Sequence, residues 1–513
     1  MKKIILLTLT LLMTSCGISK TSSSVLSSSS ISSKTSEETS ISIDPPSISS
    51  LEPTSSTSID PSIEPNEDEF GDILYNPGSD IKITLEMSNN AGYRLTTYGS
   101  DSHNTTADIY HPAKMTLKVN DKEYIYDEVG VRMKGNTSRN PDFIDETGHF
   151  KKTGTIEDFA NLKISVATDF KDNDYYTPKE DTKVLKDRRL AGEKKVDLKF
   201  NRNTDNTFTK EAYAQYMFLE EGLTASRENI INFEIKTESD SQSCKMSLQE
   251  CMDKQSLKIA RGKEDSKGNL YKGNWPCDLA SRITNENCGV EDCTKGYFPA
   301  YDLKTNDDEP DHTLLKTVVS ELTANDAGET QANLKQKFDK YVDSTKFIKF
   351  AALSYLIGNP DDLRNNKNNV YYYFNKEDKL EVIARDTDRC FGILDTWDVD
   401  MSNQYPTTTK GVPTTRDWCA SPIFWRSIIH SDNGGYSYKW PVISEYENLY
   451  KQYCIEYFNK YMNTQSFADF TNNFVNAPSH NIDVGGTGYT TNQTFGYYVN
   501  GKTEVLKDLG WIS

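Results

Sequence analysis

The chain has 513 residues, a formal charge of −18 and 36% hydrophobic residues. That acidic balance argues against a surface for nucleic acid or anionic lipid, both of which need clustered Lys and Arg. Outside residues 4–13 no apolar run approaches the ~20 residues that span a bilayer, which excludes an integral membrane protein.

Lys2 and Lys3 precede an apolar run over residues 4–13, and small residues then lead to Cys16. A charged start, a short apolar stretch and small residues describe a secretory signal. The segment Met13-Thr14-Ser15-Cys16-Gly17 resembles a bacterial lipobox, with Met13 where Leu is usual. That resemblance implies a lipoprotein signal over residues 1–16. Cys16 becomes the lipidated anchor, on the extracellular face of a bacterial membrane. The competing reading is a plain signal peptide with an incidental cysteine. Residues 17–80 are rich in Ser, Thr and Pro, too poor in apolar surface to offset chain entropy, and read as a disordered tether.

From residue 81 the pattern turns β-rich. Residues 115–119, 123–129 and 129–133 alternate apolar and polar around Asn120-Asp121, which predicts a hairpin; 161–166 and 196–200 predict further strands. Residues 210–222 carry the helical stripe Ala212, Tyr213, Tyr216, Met217, Leu219, with Gly222 as a stop. Residues 201–205 begin like a calcium loop, but Asn206 replaces the turn glycine and Glu211 falls one place short, so they lead into that helix instead. Further helices are predicted over 314–322, 332–343 and 446–462. Asp343 or Ser344 caps another whose Phe347, Phe350, Ala351 and Ser354 share a face; Gly358 and Pro360 end it. Strands at 370–374 and 380–384 flank the turn 375–379. Strands early and helices late predict an α+β protein in two lobes, 81–300 and 301–513.

Eight cysteines remain beyond Cys16, an even number suited to disulfides in an exported chain, and Cys244 and Cys251 are placed to close a small loop. No CxxC pair supports zinc. No Walker, G-x-S-x-G or H-E-x-x-H motif occurs.

The 370–384 hairpin carries the chemistry. If Phe374 pairs with Leu380, then Tyr371 faces Ile383 and Asn368 falls opposite Asp386; a one-residue slip brings Asn369 there instead. The polar stretch 361–369 and the turn Asp386-Thr387-Asp388 therefore reach one end of the hairpin. They offer hard oxygens of the kind Mg²⁺ or Mn²⁺ prefers. Ordinary solvated turns have the same composition, and that alternative stands beside the metal reading.

Five segments in order resemble the CotH family of secreted kinases. They are Gly130-Val131-Arg132-Met133-Lys134-Gly135-Asn136-Thr137-Ser138 (G-V-R-x-K-G-N-x-S), Asn269-Leu270-Tyr271-Lys272-Gly273, Gly358-Asn359-Pro360-Asp361-Asp362 (G-N-x-D), Asn368-Asn369-Val370-Tyr371-Tyr372-Tyr373, and Arg385-Asp386-Thr387-Asp388-Arg389-Cys390-Phe391-Gly392 (W-D-x-D-x-x-F-G). The resemblance implies an atypical protein-kinase-like fold, with a β-rich N-terminal lobe and a mainly helical C-terminal lobe. The implied reaction transfers the ATP γ-phosphoryl group to Ser or Thr of exported proteins.

Carried over, Asp361 orients or deprotonates the acceptor hydroxyl. Asp386 holds the metal, with Asn369 or Asn368 as second ligand and Asp388 in support. Lys163 is the first choice for the phosphate-binding lysine, with Lys134 and Lys199 as rivals; Arg132 and Lys272 join the ATP-binding set, and Glu250 is placed to pair with the lysine. Arg385 replaces the family's tryptophan and Pro360 its aromatic residue. These departures leave a non-catalytic module binding nucleotide, glycan or wall component as the alternative.

Overall fold

The structure is a computed structural model. It describes residues 72–513 apart from 103–104, 156–157, 169, 171–181, 203–204, 206, 276, 278, 280–288, 291–298, 324–328, 360, 364–366, 393–442 and 479–493. Cys16, most of the expected tether, Pro360, Cys288, Cys293 and Cys419 lie outside the described residues.

Seven strands make a closed barrel: β1 (Ile81–Glu86), β2 (His111–Val119), β3 (Lys122–Met133), β4 (Leu162–Ser165), β5 (Lys195–Phe200), β6 (Glu228–Lys236) and β7 (Ser241–Glu250), in the order β1-β2-β3-β4-β5-β7-β6. Closure comes from parallel pairing of β1 with β6, Lys82 opposite Asn232. All other neighbours in the barrel are antiparallel. Strand alternation fills the interior with Ile81, Ile83, Leu85, Val131, Met133, Leu162, Ile164, Val196 and Leu198. The expected hairpin forms around Asn120, whose φ of 53° suits the turn. Helix α1 (Asn89–Gly99) is capped by the Ser88 hydroxyl and packs Ala91 and Leu95 into the same cluster. A short α2 (Thr182–Asp187) precedes β5.

The described fold reaches back into the stretch assigned to the tether. Leu74 and Tyr75 are buried, and the Asn229 side chain donates to the carbonyls of Leu74 at 3.1 Å and Asn76 at 2.9 Å.

A second sheet has the order β11-β10-β8-β9, from β8 (Leu270–Gly273), β9 (Tyr301–Leu303), β10 (Val370–Phe374) and β11 (Leu380–Ala384). It draws on residues from both sides of position 300. The β10–β11 hairpin has the predicted register, Phe374 opposite Leu380 and Tyr371 opposite Ile383.

Helices surround this sheet: α3 (Lys210–Glu220), α4 (Lys254–Arg261), α5 (Thr313–Thr323), α6 (Gln331–Tyr341), α7 (Ser344–Ile357), α8 (Ser444–Tyr461), α9 (Thr464–Asn472) and α10 (Phe495–Asp508). The chain is thus α+β, as the sequence order suggested, and its strand-rich part is a closed barrel.

Helix α7 positions the site. Asp343 caps its start by accepting from the Lys346 amide, as predicted. Buried nearly all round, it is a core helix rather than a one-faced one. Its C-terminal carbonyls, deep in the protein, need donors. Lys502 Nζ donates to Tyr355 O at 2.9 Å, Tyr498 Oη to Leu356 O at 2.7 Å, and the Phe391 amide to Ile357 O at 2.8 Å. Gly358 then turns the chain with φ 59°. The loop after α7 and the segment after β11 are therefore fastened to one helix end.

The cysteine expectation needs correction. Cys244, Cys251 and Cys390 are free thiols. Cys244 lies within β7 and Cys251 just past its end, so the extended strand carries them apart and no loop closes between them.

Candidate active site

The outer face of the barrel presents a row of polar residues directly opposed across five strands. Arg132 faces Lys163, Lys163 faces Asp197, Asp197 faces Gln249, and Gln249 faces Glu228. Lys134, just past the end of β3, and Lys199, on β5, lie two residues beyond Arg132 and Asp197, on the same face. Such a face is normally solvated. Here the side chains of Lys134, Lys163, Asp197 and Lys199 are only 6–17% exposed.

Asp197 takes both Lys134, at 2.7 Å, and Lys163, at 2.8 Å. Burial pushes its carboxyl up, and the two ammoniums outweigh that and hold it far below the usual carboxylate range. Burial also works against the Lys163 ammonium, but Asp197 keeps its pKa above the ordinary value. Lys134 moves the other way: burial dominates, Asp197 opposes it, and the charges of Lys163, Lys199 and Arg385 help lower its pKa.

Lys199 is the hub. Its ammonium lies 2.7 Å from Glu211 Oε1, 2.5 Å from Asp386 Oδ1 and 3.6 Å from Asp388 Oδ2. Glu211 stands in the first turn of α3, where Asp205 accepts from the Lys210 amide at 2.9 Å; the loop read as leading into this helix does so. Gln215, one turn on, donates to Thr387 at 3.0 Å. Burial disfavours the charged form of Lys199, yet the carboxylates raise its pKa well above normal. For Asp386 burial raises, while Lys199 and Arg385 pull the carboxyl below its usual value. Asp388 is pushed up to about 7, by burial first and by Asp386 beside it.

The hairpin exits complete the geometry. Asn369 and Asp386 both adopt φ 53°, a left-handed turn that Asn and Asp tolerate best, and both strands bend away at the same level. The Asn369 side chain donates to Asp361 O at 2.9 Å, and Asn368 to Asp361 Oδ1 at 3.4 Å. Arg389 approaches Asp361 Oδ2 at 3.7 Å. Asn359, fully buried, accepts from the Asp361 amide at 3.1 Å and donates to Asp386 O at 3.3 Å. One amide thus fixes the spacing of the two key aspartates.

The predicted residues are gathered in part. Asp361, Asn368 and Asn369 form one group, while Asp386 and Asp388 turn toward Lys199. Among the described residues no three His, Cys, Asp or Glu side chains form a metal-holding group. The chemistry of the donors still suits a hard cation. The carboxylates of Asp386, Asp388 and Glu211 already converge on a positive charge, and Asn369 spends its NH₂ on Asp361 O, leaving its oxygen as an acceptor.

Lys199, ranked behind Lys163 on sequence, is the lysine joined to Asp386. Among the described residues Glu250 pairs with no lysine: Arg227 grips it through Nε at 3.0 Å and Nη2 at 2.9 Å, because Glu250 follows Gln249 and points to the opposite face. Arg132 pairs with Asp108 at 2.5 Å, at the far end of the row. Lys272 sits on β8 opposite Tyr371, where burial and then Arg385 push its pKa well below normal. Sequence reading assigned no role to Asn359 or Glu211. A strand-end lysine followed by a helix with Glu in its first turn was the signal available for Glu211.

A family model for the CotH kinase protein matches residues 173–469. That is more than half of the chain, and the protein belongs to the CotH kinase family. No curated protein matches it. The matched span holds Lys199, Glu211, Asp361 and Asp386, whereas Arg132, Lys134 and Lys163 precede it. Membership carries a protein-kinase-like function.

Proposed function

We propose that this protein is a metal-dependent kinase that transfers the γ-phosphoryl group of ATP to Ser or Thr of exported proteins, in an atypical kinase-like fold of two lobes. A lipid on Cys16 tethers it to the outer face of a bacterial membrane. The observation that carries the reading is the meeting of Lys199, Glu211 and Asp386 beside the Asp361 loop. A lysine held by a helix glutamate, an aspartate after a hairpin and an aspartate before it are the parts phosphoryl transfer uses.

Phosphoryl transfer needs positioning and charge neutralisation more than covalent help. Lys199, released from Asp386, neutralises phosphate oxygens while Glu211 keeps it in place. Asp386 and Asn369 would hold Mg²⁺ or Mn²⁺, which supplies positive charge against the phosphates. Asp361, steadied by Asn368 and Asn369, orients the acceptor hydroxyl and takes its proton.

The test is incubation of purified protein with labelled ATP and Mg²⁺ or Mn²⁺. Label should appear on the protein itself or on an exported partner, and Asp386→Ala should abolish it. ATP binding without transfer in either metal would favour the non-catalytic alternative.

A further inference from the structure

We propose that the Arg385 guanidinium, together with Lys134, is a phosphate-binding clamp in this cleft, gripping the anionic chain of the bound nucleotide. The proposal rests on the nucleotide reading above and assigns a residue that the resemblance does not supply, since the family motif carries tryptophan at this position.

Arg385 lines the same cleft as Lys134, Asp197, Tyr371 and Asp386. Its backbone amide is spent on Asn369 O at 3.1 Å, and its guanidinium lies 5.5 Å from the centre of the Tyr371 ring. Among the described residues the guanidinium has neither a hydrogen bond nor an ion pair. Five N–H donors in a rigid fork are therefore held over an aromatic face with no protein acceptor. The residue is half-buried, so water meets only part of that demand.

The surrounding charges point the same way. Lys134 and Lys163 share one carboxylate, Asp197, and Arg385, in the same cleft as Lys134 and Asp197, has no ion pair of its own among the described residues. Glu211 and Asp386, which also line the cleft, are turned to Lys199. A phosphate group beside Lys134 finds in Arg385 an unpaired fork able to take it in the bidentate geometry that suits guanidinium and phosphate.

The experiment is calorimetric titration of inorganic tripolyphosphate, ATP and adenosine onto the wild-type protein and onto Arg385→Gln and Arg385→Lys, with thermal melts to confirm folding. Arg385→Gln should weaken tripolyphosphate and ATP by about ten- to a hundred-fold, the size of one charge-assisted bidentate contact, and leave adenosine unchanged. Arg385→Lys should recover part of the loss. Equal binding of tripolyphosphate by wild type and Arg385→Gln overturns the proposal, as does a matching loss for adenosine, which would make Arg385 a stacking platform for the base. Arg385-dependent tripolyphosphate binding without phosphoryl transfer from ATP upholds the clamp and sinks the kinase reading instead.

Discussion

The Lys199 ammonium and the Asp386 carboxylate meet at 2.5 Å across 187 positions of sequence. The contact joins β5 of the barrel wall to the exit of the hairpin, and Glu211 of α3 also holds the same ammonium. Removing either partner is unequal in cost. Lys199→Met leaves three neighbouring carboxylates with no cation between them, whereas Asp386→Asn leaves Lys199 with Glu211. Denaturant unfolding should place Lys199→Met about 3–5 kcal/mol below wild type and Asp386→Asn clearly less far. Equal losses would mean that the carboxylates are not held together by that ammonium.

Asp197 is the converse case, one carboxylate serving Lys134 and Lys163. Asp197→Asn strands two buried ammoniums, while Lys163→Met leaves the Lys134 pair intact. We expect the first to be the more destabilising, by about 2 kcal/mol or more, and the double variant to recover part of the loss. A double variant no better than Asp197→Asn alone would show that the two charges do not depend on the shared anion.

The hairpin and the start of α7 were legible because their signals are local. The turn after Phe374 fixes the register of the next strand, and Asp343 caps the helix that Gly358 ends. The barrel was not legible, because its closing contact pairs β1 with β6 across some 150 residues, and β7, with Gln242, Lys245 and Gln249 along it, reads as no strand. The contact between Lys199 and Asp386 was hidden for a related reason. Lys134, Lys163 and Lys199 share the outward face of the barrel, and only the segments that cover them decide which meets Asp386. Asp361 and Asp386 stand out in the sequence as members of motifs, but the amide of Asn359 that spaces them shows itself only in three dimensions.

His111 gives the protein a pH dependence of known sign. Burial, and then Arg94, push its imidazole down to about 3 from 6.5. The unfolded chain therefore takes up a proton below pH 6.5 that the folded chain refuses. The resulting stability is whole above pH 6.5 and lost as pH falls toward 3, at up to about 1.4 kcal/mol per pH unit. Glu193 and Glu228, whose burial raises their pKa, contribute with the opposite sign, so the test is a difference. The stability gap between wild type and His111→Phe should narrow from pH 7 to pH 4.5. A gap that stays constant would show that His111 titrates normally.

Asp361 and Asn359 separate chemistry from positioning. Asp361→Asn keeps a side chain able to bond Asn368 but unable to accept a proton, so phosphoryl transfer should fall by about 10²- to 10⁴-fold while ATP affinity stays within a few-fold. Asn359→Ala removes no charge and no proton acceptor. It cuts the bonds that tie the Asp361 amide and the Asp386 carbonyl to one buried group. Transfer should then fall by about 10- to 100-fold, since small displacements of reacting groups carry penalties of that order. The pH profiles distinguish the two causes. Asn359→Ala should keep the acidic limb of the wild-type rate profile, because the Asp361 carboxylate is still present, whereas Asp361→Asn should lose it. A rate profile in Asp361→Asn with the same acidic limb as wild type would remove Asp361 from the role of proton acceptor and leave it as a spacer in the loop.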